Sequence, residues 1–274
     1  MQETEITKIV PATAWPSLEI GELWRNRELL YFLTWRDVKI RYKQTVIGIA
    51  WAVLQPVLTT AVFTLIFSRF AKFDTADVPY PLFAISGLMI WLFVHTAITM
   101  ASGSFIGNTN LVTKIYFPRI ILPLAATFAA LFDLLFSLLI LVLMLLYYGR
   151  GITRAFALAP VFLIISLILA ASFGILFSAL NVRFRDVKFA LPFLLQVWMV
   201  ASPIFYPLSI VSGNARLLLA INPLTGILEG FRSALFGTAF DLPVIAVSLV
   251  SALVIALLSL FVFKWMEDDF ADIV

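Results

Sequence analysis

Six stretches of about twenty residues run almost without charge, and each is long enough to cross the hydrocarbon of a bilayer as an α-helix. They are Ile49–Phe67, Tyr80–Ala101, Ile120–Tyr148, Ala155–Leu180, Phe189–Leu208 and Leu242–Phe263. Only His95 and Asp133 carry titratable side chains other than tyrosine deep within them. A chain of 274 residues that is 62% hydrophobic and only 13% charged cannot cover a water-facing surface of its own; soluble domains carry about 25% charged residues. Mean hydropathy is +1.03. These numbers imply an all-α membrane protein and argue against a soluble enzyme or a nucleic-acid binder. The absence of cysteine removes disulfides, thiolate nucleophiles and cysteine-based metal sites, and a single histidine removes multi-histidine sites.

Basic residues set the orientation. The N-terminal segment, the connections 102–119 and 181–188 and the tail after Phe263 hold thirteen Lys and Arg, against six on the opposite side. An excess of that size places both termini in the cytoplasm. The first twenty residues mix Glu3, Glu5, Lys8 and Glu19 with two prolines, so they do not form a secretory leader. The third span, at 29 residues, exceeds what a bilayer needs and predicts tilt or a cytoplasmic extension beginning near Pro123.

The segments between spans carry the remaining signals. Residues 18–43 are too basic to span, yet Tyr31, Trp35, Val38 and Tyr42 fall on one helical face. This predicts an amphipathic interface helix, which either anchors at the membrane surface or docks a cytoplasmic partner. Arg36, Lys39, Arg41 and Lys43 on it suit an anionic lipid headgroup. Residues 209–241 predict short re-entrant helices between spans five and six. Asn222 and Pro223 form an N-cap followed by proline, and Gly237 marks the stop. Leu224, Ile227, Leu228, Phe231 and Leu235 make an apolar stripe, opposed by a polar face of Thr225, Glu229, Arg232 and Ser233. Trp91, Phe93, Trp198, Phe205 and Tyr206 lie beside polar or helix-breaking residues, where aromatic faces serve either as packing or as a surface for sugar rings. Asp133 reads as a carboxyl facing the bundle interior and bonded to a neighbouring helix, and His95 as a packing residue. No GxxxxGK[ST] occurs, so any ATP is handled by another chain.

Five blocks then resemble one family. They are Arg36-Asp37-Val38-Lys39-Ile40-Arg41-Tyr42 continuing through Thr45, Gly48 and Trp51 to Pro56; Lys114-Ile115-Tyr116-Phe117-Pro118-Arg119; Asn181-Val182-Arg183-Phe184-Arg185-Asp186; Ser202-Pro203-Ile204-Phe205-Tyr206-Pro207; and Asn222-Pro223 through Gly226, Glu229 and Gly230 to Arg232. In this order, over residues 25–265, the chain is similar to type-2 ABC exporter permeases, the membrane subunits of polysaccharide and polyol-phosphate exporters. It departs at Ile120, where relatives often place an acidic residue.

The resemblance implies a non-enzymatic permease in the bacterial cytoplasmic membrane that forms a homodimer. Each copy would dock one copy of a cytoplasmic P-loop ATPase, with ATP and Mg on that subunit and no cofactor in this chain. It implies residues 1–48 as a cytoplasmic segment with the interface helix, 49–265 as the permease domain, and 266–274 as an acidic tail. Asn108, Asn110, Lys114, Arg119, Arg183, Arg185 and Asp186 would then couple to the ATPase, and the five aromatics would line the glycan path. Asn222, Pro223, Glu229 and Arg232 would belong to the exit helix. The implied cargo is an undecaprenyl-linked glycan, O-antigen foremost, with capsular polysaccharide or teichoic acid as alternatives. A proton-coupled secondary transporter would have only Asp133 to work with. A membrane-embedded transferase would need clustered carboxylates, whereas Asp37 and Asp186 stand apart.

Overall fold

The structure is a computed structural model and describes residues 20–43, 48–70, 78–151, 153–267 and 270. The N-terminal glutamates, Lys72 and most of the acidic tail lie outside the described residues. The described residues form helices and turns, with no strand. In chain order the helices are α1 Ile20–Arg25, α2 Arg27–Tyr42, α3 Ala50–Phe70, α4 Tyr80–Ser102, α5 Thr109–Lys114, α6 Ile121–Tyr147, α7 Ala159–Arg183, α8 Val187–Ala201, α9 Asn214–Ala220, α10 Pro223–Phe236 and α11 Leu242–Glu267. Short 3-10 turns precede α5, α7 and α9.

Among the described residues, five helices are long and apolar enough to cross a membrane: α3, α4, α6, α7 with its preceding turn, and α11. The expected fifth span, 189–208, is not among them. Its helix, α8, has 15 residues and is about 22 Å long. It stops at Ala201 because Ser202-Pro203 leaves the helical path: Ser202 is extended, and proline disfavours helix in the residue before it. The expected sixth span runs on to Glu267, so the predicted border at 265/266 falls in its last turn.

Helix α4 is the hub. Of its most apolar window 78% is buried inside the chain, against 17–44% for the other four long helices. Small side chains make this possible. A Cβ on Gly174 of α7 would lie 2.7 Å from Ala101 Cβ of α4, and Ala125, Ala126, Ala129 and Ala130 form a buried strip on α6. In lipid, which is as apolar as leucine, such close approach is what holds helices together. Serines of α7 are satisfied within their own helix: Ser172 donates to Ile168 O and Ser178 to Ile175 O, both at 2.7 Å. The outward faces are apolar, as with Leu135, Leu139, Leu143 and Leu146 on α6. A surface of this kind belongs against acyl chains rather than water.

A second, smaller core closes one end of the bundle. Phe105, Phe117, Phe263, Met266 and Phe270 pack there with Leu33 of α2, so the N-terminal helix is seated on the bundle. Toward the other end, α10 lies against α11 through glycine. The Gly226 N–H donates to Ser248 Oγ at 2.9 Å, and a Cβ there would meet Ser248 Cβ at 2.5 Å and Ile245 Cα at 3.0 Å. Neither atom is the tip of a flexible side chain. Gly226→Ala is therefore expected to destabilise the protein by roughly 1–3 kcal/mol through overpacking. The measurement is the melting temperature of the detergent-solubilised chain, and an unchanged value would show that the two helices separate freely.

Candidate functional site

Charges in a membrane helix need partners, because an isolated charge in hydrocarbon is costly. Asp133 lies in the middle of α6, and its partners come from α2. Arg41 Nη1 forms an ion pair with Asp133 Oδ2, and the Tyr42 hydroxyl donates to Asp133 Oδ1. Burial, reinforced by the hydrogen bond to Asp133, holds the Tyr42 hydroxyl well above the usual tyrosine range, so it remains a donor throughout the physiological range. The expectation that Asp133 bonds a neighbouring helix is met, although that helix is the amphipathic one. Beside this cluster lies a cavity of about 180 Å³ bordered by Trp51, Gln55, Phe93, Thr96 and Ser137.

The other predicted headgroup cations sit differently. Arg36 pairs with its neighbour Asp37 at 2.8 Å, Lys39 lies 5.5 Å from the centroid of the Trp35 ring, and Lys43 ends the helix. Tyr31 and Trp35 of the predicted stripe are exposed, whereas Val38 is buried. Helix α2 thus has an inner apolar face on the bundle and an outer aromatic one beside its cations.

A second charge is buried completely. Arg232 was expected on the polar face opposite the apolar stripe, but α10 is buried on nearly every side, including Thr225, Arg232 and Ser233. The physical reason is that its guanidinium replaces a missing helix. Where α8 breaks, Arg232 Nη1 donates to Pro203 O at 2.7 Å and Nη2 to Ile204 O at 2.7 Å. Nη2 also reaches Phe83 O at 3.4 Å, and Nε reaches Ser86 Oγ at 3.3 Å on α4. The guanidinium carbon lies 3.7 Å from the centroid of the Phe83 ring. Burial lowers Arg232 to about 10, which leaves it charged at neutral pH. Gly87 makes the room: a Cβ there would lie 2.5 Å from Arg232 Nη2. Nearby, burial raises the Glu229 carboxyl, with Arg232 and Arg216 pulling against that rise.

Asn222 ties the same break from the start of α10. Its Oδ1 accepts from Leu224 N at 3.1 Å, the predicted cap, and from Trp198 Nε1 at 2.8 Å. Its Nδ2 donates to Ser202 Oγ at 2.8 Å. Pro223 follows in the first turn and Gly237, at φ 71°, ends the helix as predicted. Trp91, Phe93 and Phe205 are buried inside one chain, Trp91 edge-on to Trp198 and Phe205 stacked on Phe63 at 3.8 Å. Trp198 and Tyr206 are half-buried.

The predicted coupling residues gather at one end. Asn181 Nδ2 donates to Ser102 O at 2.8 Å, which brings the two connections together. Arg119 donates to Glu267 O, and Arg183 lies 5.3 Å from the Trp265 ring centroid. Asn110, Lys114, Arg185 and Asp186 are exposed, whereas Asn108 turns back to Ser104 O at 2.7 Å. The end of α11 at Lys264 and Glu267, which the sequence reading left out, borders the same cavity as Lys114, Tyr116 and Arg119, about 530 Å³ in volume.

A family model described as ABC-2 type transporter matches residues 28–236. An O-antigen export system permease protein, RfbA of Myxococcus xanthus, is 27% identical over 257 residues, covering 92% of this chain and 98% of that protein. An RfbA of Klebsiella pneumoniae is 25% identical, covering 90% and 95%. The polysialic acid transport protein KpsM of Escherichia coli is 24% identical, covering 73% and 78%.

Removing the Arg232 head leaves carbonyls at the break without their charged donor. Arg232→Met is expected to lower stability by roughly 3 kcal/mol or more. Gly87→Ala should act in the same direction by displacing the guanidinium, and Asn222→Ala should do so by about 1 kcal/mol through the cap. Thermal unfolding in detergent measures all three. Wild-type stability in Arg232→Met would show that the break holds without it.

Proposed function

This chain belongs to the ABC-2 type transporter family, and from that premise we propose that it is the permease subunit of an ATP-driven exporter of a lipid-linked polysaccharide. O-antigen is the cargo we favour, because relatives bearing that name align over nearly the whole of both chains. Capsular polysaccharide is the second reading, carried by the shorter match to the polysialic acid transporter.

In this reading α8 completes a sixth span, with residues 202–207 finishing the crossing in non-helical form. Such backbone is tolerated at membrane depth only when protein satisfies it, which Arg232 does at Pro203 and Ile204 and the Tyr80 hydroxyl does at Phe205. Both termini lie on the cytoplasmic side of the bacterial inner membrane, with α9 and α10 as the re-entrant pair at the opposite face. Two copies of the chain assemble with two copies of a P-loop ATPase that supplies ATP and Mg. The exposed apolar faces of α3 (Trp51, Leu58, Val62, Leu65) and α8 (Phe189, Phe193, Val197, Val200) are where the two copies meet around the path. Trp198 and Tyr206 are the aromatics best placed to reach that path, since the other three candidates are buried within one chain. Residues of 102–119 and 181–188, gathered at one end, receive the ATPase.

The observation that carries this proposal is the clustering of the charged connections at one end of a chain that has no nucleotide-binding motif of its own. ATP binding in the partner would draw the paired ATPases together and move those connections. The spans that border the path would follow.

The direct test is to purify the chain from its native host and look for a P-loop ATPase bound to it. Disabling that subunit's ATP site should abolish appearance of the glycan at the cell surface. Replacing Arg183 and Arg185 together with Ser should weaken ATPase binding or uncouple hydrolysis from export. Export that continues without ATP hydrolysis and collapses with the proton gradient would favour a secondary transporter instead.

A further inference from the structure

Two cavities meet at Arg41. One is the cavity already described beside Asp133. The other is an open groove of about 420 Å³ between the C-terminal half of α2 and α4, lined by Asp37, Ile40, Arg41, His95, Thr99 and Met100 together with Thr96. Arg41 and Thr96 border both, so the two spaces adjoin in a track whose largely apolar walls carry the polar heads of Arg41, Thr96 and His95. His95 is seven residues from the end of α4, about 10 Å along its axis. The groove therefore opens sideways, in the third of the helix nearest the charged connections.

The donors in this track are arranged and unused. Asp133 takes Nη1 of Arg41, and the same nitrogen lies 3.7 Å from Met100 Sδ. Among the described residues, Nε and Nη2 of Arg41 make no hydrogen bond. These two N–H groups form the side-on edge of the guanidinium, the fork that matches two oxygens of a carboxylate or phosphate. Asp133 holds the fork in place by binding the far corner. The His95 ring, tilted against Trp91 at 5.9 Å, and the Thr96 hydroxyl are likewise without hydrogen-bond partners among the described residues. In the inner cavity the Gln55 amide and the half-exposed Trp51 ring face the same space. An amide beside an aromatic face is suited to the hydroxyls and C–H groups of a sugar. About 180 Å³ equals the liquid volume of about six waters, the scale of a single ring.

We propose that this track binds the phosphoryl group of a membrane-borne sugar phosphate, with Arg41, His95 and Thr96 as donors and the Gln55–Trp51 cavity receiving the adjoining sugar ring. The inference rests on the exporter reading and sharpens it. Of the four basic residues on α2, Arg41 alone has both an orienting carboxylate and neighbouring donors from a second helix. The lateral opening favours a lipid over an ion from solution, because the phosphate arrives with its chain still in the bilayer. Asp133 is a positioning residue for Arg41.

The test uses the full chain with its ATPase in phosphatidylcholine nanodiscs. Retention of polyprenyl phosphate is compared with that of neutral polyprenol by native mass spectrometry, and inorganic phosphate is titrated separately. The wild type should prefer the phosphorylated lipid by about tenfold or more. His95→Leu and Thr96→Val, which leave the Arg41–Asp133 pair intact, should each reduce that preference several-fold without changing the melting temperature, whereas Arg27→Gln on the same helix as Arg41 should not. Thr96→Ser, which keeps the hydroxyl, should retain it. Equal retention of the two lipids, or full retention by both variants, overturns the site. Inorganic phosphate binding as tightly as the lipid overturns the lipid assignment. Export of lipid-linked glycan by the wild type is measured alongside. Its absence would count against the exporter reading, whereas export with unaltered lipid retention in the variants would count against the site alone.

Discussion

The buried guanidinium of Arg232 is the interaction on which the half of the molecule around α8 and α10 depends. Helix α8 ends too early to cross a bilayer, and the residues that follow cannot satisfy their own carbonyls in an apolar setting. Arg232 supplies donors to two of those carbonyls and to α4 at the same time. A charged donor forms hydrogen bonds about twice as strong as a neutral one, and its cost of burial is offset only when it is fully engaged. Hence the surroundings are built around it. Gly87 lacks a side chain, the Phe83 ring covers the guanidinium, and Asn222 secures the break from the other end of α10.

The same economy of charge operates at the opposite end of the bundle. Asp133 and Arg41 come from elements far apart in the chain and neutralise each other where neither is tolerable alone. One consequence is that α2 is fastened to α6 as well as resting on the aromatic core beneath it. A movement of the N-terminal helix therefore reaches α6 through an ion pair and a tyrosine hydrogen bond. Between the two ends, α4 touches both clusters: Phe83, Ser86 and Gly87 serve Arg232, while His95 to Met100 face Arg41. Its small-residue contacts with α6 and α7 make it the rigid member against which both ends are referenced.

Much of this was legible in the chain itself. Apolar runs located α3, α4, α6, α7 and α11 to within a few residues, because crossing hydrocarbon demands length and lack of charge irrespective of neighbours. The Asn222-Pro223 start and Gly237 stop of α10 were legible for an equally local reason: capping depends on backbone conformation within one turn. The expected fifth span is helical only as far as Ala201, because hydropathy does not sense whether Ser202-Pro203 continues a helix or breaks it. The polar face of α10 was misjudged because Arg232 looks like any exposed arginine until the carbonyls it serves are in place.

The sequence by itself determined that this is a multi-pass helical membrane protein with most of its basic residues in the N-terminal segment and alternate connections and with no P-loop motif, since these follow from composition and order alone. Only the tertiary structure decided which charges are working groups. Arg41 and Asp133 lie 92 residues apart, and Arg232 is far from Phe83 in the chain. Electrostatics in a medium of low dielectric constant is settled by distances in space, and no local pattern records those distances.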